Sequence, residues 1–110
     1  MNKRSVVAVL CALSIVVVAV PAFAGGGPDA AGLFKAKCAM CHGPDGAGQT
    51  TMGKSLKLRD LRSDEVQKQT DKELHAWTAD GKGKMPAYKA KLSEEDINAL
   101  VVHMRDLAKK

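Results

Sequence analysis

Aromatic side chains are scarce in this 110-residue chain, which has two Phe, one Tyr and one Trp. A chain so poor in large rings makes a thin core by itself and needs a staple: a disulfide set, a metal or a cofactor. Cysteine is scarce too, with three in all, and one of them, Cys11, lies in an uncharged N-terminal run. That leaves Cys38 and Cys41, which excludes a disulfide framework. A second Cys/His cluster, such as a structural zinc site requires, is missing; His75 and His103 stand alone. Length excludes a multidomain enzyme or a dinucleotide-binding unit with a substrate domain. No run combines two-residue alternation with hairpin turn chemistry, and there are no internal repeats.

The N-terminus differs from the rest. Lys3 and Arg4 precede sixteen uncharged residues from Ser5 to Val20, and Pro21-Ala22-Phe23-Ala24 then places small residues at the −3 and −1 positions of an A-x-A cleavage site. The pattern predicts a secretory signal peptide over residues 1–24 and a mature domain over 25–110. Cleavage leaves 86 residues and removes two basic and no acidic side chains, lowering the net charge from +5 to +3. The rival reading is an uncleaved anchor, since Ser5 to Ala24 is about long enough to span a bilayer; Pro21 and the small residues break the run against it. Cys11 follows Leu10 and sits mid-run, unlike a lipoprotein acylation site. Either reading exports the domain: periplasmic when cleaved, membrane-anchored and facing the periplasm when not. Nucleic acid is not a partner for an exported domain of this charge.

Helical signals dominate the mature chain. Asp29 caps a first helix whose Leu33, Phe34, Cys38 and Cys41 recur at spacings sharing a face. Gly43 to Gly53 is rich in Gly, Pro, Asp and Thr and reads as a loop. Lys54 to Arg62 alternates basic and apolar residues and carries no assignable pattern. Ser63 starts a short helix through Gln69. Thr70-Asp71-Lys72-Glu73 is a capping box that opens a helix bearing Leu74 and Trp77 and stopping at Gly81. The segment from Gly81 to Pro86 cannot continue it. Ser93 and Asp96 form a second box, with Leu92 set to pack on Ile97, and Ile97, Leu100, Val101, Met104 and Leu107 trace one apolar stripe. The fold class is all-α.

Chemistry concentrates in Cys38-Ala39-Met40-Cys41-His42. Two thiols about one helical turn apart can add to the two vinyl groups of one porphyrin edge, and the next residue is then placed to ligate the iron through a ring nitrogen. C-x-x-C-H is the attachment signature of haem c. A thioredoxin-like redox pair would need a βαβ setting, which is absent.

Further residues extend the signature. Phe34 lies four before Cys38, Leu100-Val101-Val102-His103 sits in the last helix, and Gly81-Lys82-Gly83-Lys84-Met85-Pro86-Ala87-Tyr88 follows the penultimate one. In these features nearly the whole mature chain resembles the class I cytochromes c, mitochondrial-type and bacterial. The resemblance implies the cytochrome c fold, with three to four helices around one covalently attached haem, crossing first and last helices, and a distal loop whose Met is the sixth iron ligand. Ala30 departs from the Gly many members place at that crossing, and His103 from their aromatic residue; Ala is still small and His still presents a flat ring.

Met85 is the methionine best placed to be that ligand. Met40 lies inside the attachment motif, Met104 is on the core stripe of the last helix, and Met52 follows a flexible loop. Met85 has a Gly-rich approach and is pinned by Pro86. His75, one position beyond Leu74, reads as a solvated helix residue. Trp77 reads as core, and when buried its indole N–H needs a partner, for which a haem propionate is a candidate.

The site residues expected are therefore Cys38 and Cys41 as thioethers and His42 and Met85 as axial ligands. With both axial positions filled the iron has no vacancy for oxygen or peroxide, which implies a one-electron carrier rather than an enzyme and leaves no small-molecule substrate. Its partners are then redox proteins. The lysine pairs Lys35/Lys37, Lys82/Lys84 and Lys89/Lys91 read either as solubilising charge or as a positive ring steering the carrier to acidic docking faces. The alternatives are an open-site haem domain that binds gas or reduces peroxide, and a haem subunit of a membrane oxidoreductase.

Overall fold

The computed structural model describes residues 15–18 and 28–110. The rest of the expected signal peptide, together with Gly25 to Gly27, lies outside the described residues. Six helical segments follow in order: α1 (Ala30–Lys37), α2 (Ala39–His42), α3 (Thr51–Ser55), α4 (Asp64–Gln67), α5 (Asp71–Asp80) and α6 (Glu94–Leu107). Three of these run eight residues or more; the others are single turns. Among the described residues there is no strand, only an isolated bridge between Lys82 and Met85. No helix among them is long and apolar enough to cross a membrane.

Side-chain caps fix the helix starts. Asp29 accepts from the Gly32 N–H, and full capping boxes stand at Thr70/Glu73 and Ser93/Asp96. Helix α1 is shorter than its apolar spacing predicts: it ends at Lys37, and Cys38 links it to the separate turn α2. The predicted 43–53 loop is also interrupted, because Thr50 caps α3 by accepting from the Gly53 N–H. Ser63 does start a short helix, ending at Gln67.

Helix α6 buries the whole expected stripe, Ile97 at 0% exposure and Leu100, Val101, Met104 and Leu107 close behind. It packs on α1 and on α5. Phe34 and His103 meet at the α1–α6 crossing, ring centroids 5.0 Å apart and planes tilted by 50°, within the preferred range for paired rings. The buried side chains fall into two clusters. Phe34, Leu100 and Leu107 form one, which Leu92 joins; Val66, Leu74, Val101 and Met104 form the other, and Leu61 touches both.

Arg105 ties the short α4 to this frame. Its guanidinium donates to the Gln67 and Gln69 carbonyls at 2.7 and 2.5 Å and to Asp71 at 2.9 Å, satisfying carbonyls that the end of α4 leaves free.

Gly53 decides how closely α3 approaches the segment before it. A Cβ there would stand 2.5 Å from the Cys41 carbonyl oxygen and collide with that of Gly48. Both obstacles are backbone, so neither can swing away. Gly53→Ala is therefore expected to lower stability by about 1–3 kcal/mol, the range of core overpacking, and to reduce the yield of haem-loaded protein; denaturant unfolding and absorbance per polypeptide measure the two.

Candidate haem site

Between the two clusters lies an apolar cleft of about 380 Å³, within the range of about 300–1,000 Å³ typical of cofactor pockets. Phe34, Val66, Leu74, Leu100 and Met104 line it from the helices, and Leu61 from the turn before α4. Leu56 and Leu58 line it from the segment that carries no assignable sequence pattern. The alternation there has a simple meaning: Leu56, Leu58 and Leu61 are half-buried, while Lys57 and Arg59 are exposed at the rim.

Three of the four expected site residues, Cys38, Cys41 and His42, enter the cleft from the α1–α2 junction, and Met85 enters it from the loop after α5. The thiols are unpaired. Burial, helped by the neighbouring Cys41, pushes the Cys38 thiol up to about 11, the reverse of the lowered value that makes a redox-active cysteine. Burial also holds the His42 imidazole below its ordinary value, keeping it in the neutral form that binds metals. The His42 ring makes no hydrogen bond among the described residues, and its Nδ1 is sealed from solvent without a partner. A sealed ring nitrogen left so is a place where the protein's own hydrogen bonding is incomplete.

The backbone around these residues is, by contrast, well bonded. The Cys38 carbonyl accepts from the Cys41 and His42 N–H groups, and the His42 carbonyl accepts from Gly48 at 2.7 Å. Thr50 donates its hydroxyl to the Cys41 carbonyl at 2.7 Å while accepting from Gly53. Thr50 and Gly53 support this segment without having been singled out by the sequence; their one signal, a Thr with a Gly three residues on, is too common.

Met85 is held by turn geometry. Lys82 and Met85 exchange two backbone hydrogen bonds at 3.0 and 3.1 Å. Gly81 has φ +67°, and a Cβ on it would meet the Met85 carbonyl at 2.5 Å, so the approach to this turn requires glycine. Beyond it, the Tyr88 and Lys89 N–H groups bond back to the Thr78 and Ala79 carbonyls of α5.

The competing ligands lie elsewhere. Met52 is 45% exposed and does not line the cleft; Met40 is 78% exposed. Met104 does line it, but packed with Val66, Leu74 and Val101. His75 differs from its expectation as a solvated residue: its side chain is 23% exposed and Nε2 meets Glu94 Oε2 at 2.9 Å across α5 and α6, outside the cleft. Trp77 is half-buried on the cleft wall, with the Lys82 ammonium 4.7 Å from its ring. Lys37, Lys57, Arg59, Lys82 and Lys84 line the cleft and no described carboxylate does. Of the three lysine pairs, then, only Lys37, Lys82 and Lys84 reach it; Lys89 pairs with Asp80 at 3.2 Å and Lys91 lies 6.0 Å from the Tyr88 ring.

These residues fit a haem: an apolar slot, two thiols and a neutral unpartnered imidazole at one junction, and a thioether on a fixed turn. Comparison with known proteins agrees. Residues 26–104 match the family described as cytochrome c oxidase, cbb3-type, subunit III. Cytochrome c6 of Leptolyngbya boryana is 39% identical over 78 residues, covering 71% of this chain and 88% of that protein. Cytochrome c6 of Microcystis aeruginosa is 34% identical over 82 residues, covering 74% and 98%. Among solved structures, the KustC0563 c-type cytochrome superposes with a TM-score of 0.68 at 32% identity, covering 73% of this chain and 98% of that one. The chain belongs to the cytochrome c family as a small class I member, an electron carrier with the cytochrome c fold and a covalently bound haem c.

Proposed function

We propose that the protein is a periplasmic one-electron carrier in which Cys38 and Cys41 hold the haem as thioethers and His42 and Met85 ligate its iron. The observation that carries this reading is the convergence, on one apolar cleft, of a neutral unpartnered His42 and a Met85 fixed by a two-bond turn. When bound, the haem supplies a ferric/ferrous couple. The protein's part is to hold that couple still and set its potential. His42 sits on a backbone whose carbonyls are bonded to Gly48 and Thr50, so it keeps its place in both oxidation states. The Met85 thioether favours ferrous iron, and the leucine-rich lining disfavours the extra ferric charge; both raise the potential. Signal-peptide features in residues 1–24 support export and cleavage.

Lys37, Lys57, Arg59, Lys82 and Lys84 at the cleft, with no carboxylate among the described lining residues, favour partners with acidic docking faces. A second reading, as a subunit of a membrane oxidoreductase, is favoured by the oxidase-subunit description of the matching family. The c6 relatives, matched over 88% and 98% of their length, favour the separate carrier.

Three measurements test the proposal. In visible spectra the ferric protein should show the Met–iron charge-transfer band, and the ferrous protein should ignore carbon monoxide. Met85→Ala should abolish the band, create a carbon monoxide response and lower the potential by on the order of 0.1 V, out of the ~0.8 V that axial ligands command. A parent spectrum already open to carbon monoxide would instead establish the gas-binding or peroxide-reducing alternative. Intact mass of the exported protein should equal residues 25–110 plus one haem. Finally, reduction by an acidic partner should slow about tenfold between about 0.01 M and about 1 M salt, as the screening length falls from about 30 Å to about 3 Å; a salt-independent rate would remove the acidic-face reading.

A further inference from the structure

The loop that bears Met85 is tied firmly on one side only. Its backbone bonds run within the Lys82–Met85 turn or back to Thr78 and Ala79 of α5. Toward the wall carrying the cysteines, one hydrogen bond crosses among the described residues: the Tyr88 hydroxyl donates to the Lys37 carbonyl at 3.1 Å, across 51 residues of sequence. Its acceptor is open for a physical reason. Lys37 ends α1, and the Cys41 N–H, which would close the next helical turn on that carbonyl, bonds to Cys38 instead at 3.2 Å. The Lys37 carbonyl is thus one of the orphans a helix C-terminus leaves, and Tyr88 supplies its donor. The Tyr88 ring lines the cleft alongside Lys37, Cys38 and Met85.

We propose that Tyr88 is a positioning residue whose hydroxyl clasps the Met85 loop to the end of α1 and thereby governs how readily Met85 leaves the iron. The inference rests on the Met85 ligation proposed above. Without the hydroxyl, the loop keeps its anchors to α5 but loses its tie to the opposite side of the chain, so the state with Met85 detached becomes more populated. An added imidazole binds iron only in that state, so its apparent affinity reports the open fraction.

The test titrates imidazole into the ferric holoprotein of the parent, Tyr88→Phe and Tyr88→Leu, following loss of the Met–iron band, with denaturant unfolding in parallel. Loss of one net hydrogen bond should raise the imidazole affinity of Tyr88→Phe about 2- to 10-fold over the parent. A lowered unfolding midpoint with parental imidazole affinity in Tyr88→Phe would make the contact merely structural and overturn the proposal. So would an effect confined to Tyr88→Leu, which would assign it to the ring rather than the hydroxyl. Should the parent itself lack the band, the ligation reading fails, and the clasp is judged by amide exchange: faster exchange at Lys82 and Met85 in Tyr88→Phe than in the parent supports it, and equal exchange overturns it.

Discussion

The structure depends on a gap that the chain does not fill. Phe34 and Leu100 on one side, and Val66, Leu74 and Met104 on the other, are buried among their own neighbours and yet line the same cleft. A chain with so few aromatic rings makes a thin core by itself, and an open apolar cleft of that size leaves side chains that gain stability when they are covered. The haem is therefore the missing part of the core as well as the redox centre. The two roles reinforce each other. Packing that excludes water to gain stability also removes the dielectric that would favour ferric iron, so the leucines that hold the fold also tune the couple.

The two ends of the proposed iron ligation are secured by different means. Around Cys38, Cys41 and His42 the support is backbone: three carbonyls accept from Cys41, His42, Gly48 and Thr50, and Gly53 lets α3 come close enough to complete the cradle. Around Met85 it is a tight turn, a glycine with positive φ, two bonds to α5 and one tyrosine hydroxyl. Covalent attachment makes the first end permanent. The second can open at the cost of a few hydrogen bonds, so local stability there sets the exchange of the distal ligand. A carrier needs this loop to be closed in both oxidation states; it does not need it to be as strong as the cradle.

What was legible in the sequence follows how local each signal is. The caps at Asp29, Thr70 and Ser93 and the stripe from Ile97 to Leu107 involve residues within one or two turns of each other, and the fold reproduces them. C-x-x-C-H and the Met85 turn were readable because the chemistry constrains contiguous residues. The cleft brings both together, while their ligand roles remain the proposal. The break of α1 at Cys38 was not readable: the apolar face continues through it, and only the hydrogen bonds of the attachment segment end the helix. Nor was the half-burial of His75, which depends on Glu94, nineteen residues away. The segment from Lys54 to Arg62 has no regular period because its leucines face the cleft and not a sheet or helix partner.

Charge follows the same geometry. A net charge of a few units spread evenly would give this domain solubility but no preferred approach. Here five cationic residues line the cleft, whereas carboxylates such as Asp71 and Glu94 line a separate surface depression with His75. The asymmetry gives the molecule a direction in the field of an acidic partner. Lys82 shows how it is built: the turn that positions Met85 also sets the Lys82 ammonium over the Trp77 ring on the cleft wall, anchoring a positive charge beside the site without neutralising it. The loop that supplies the proposed iron ligand therefore also supplies part of the surface by which a partner would find it.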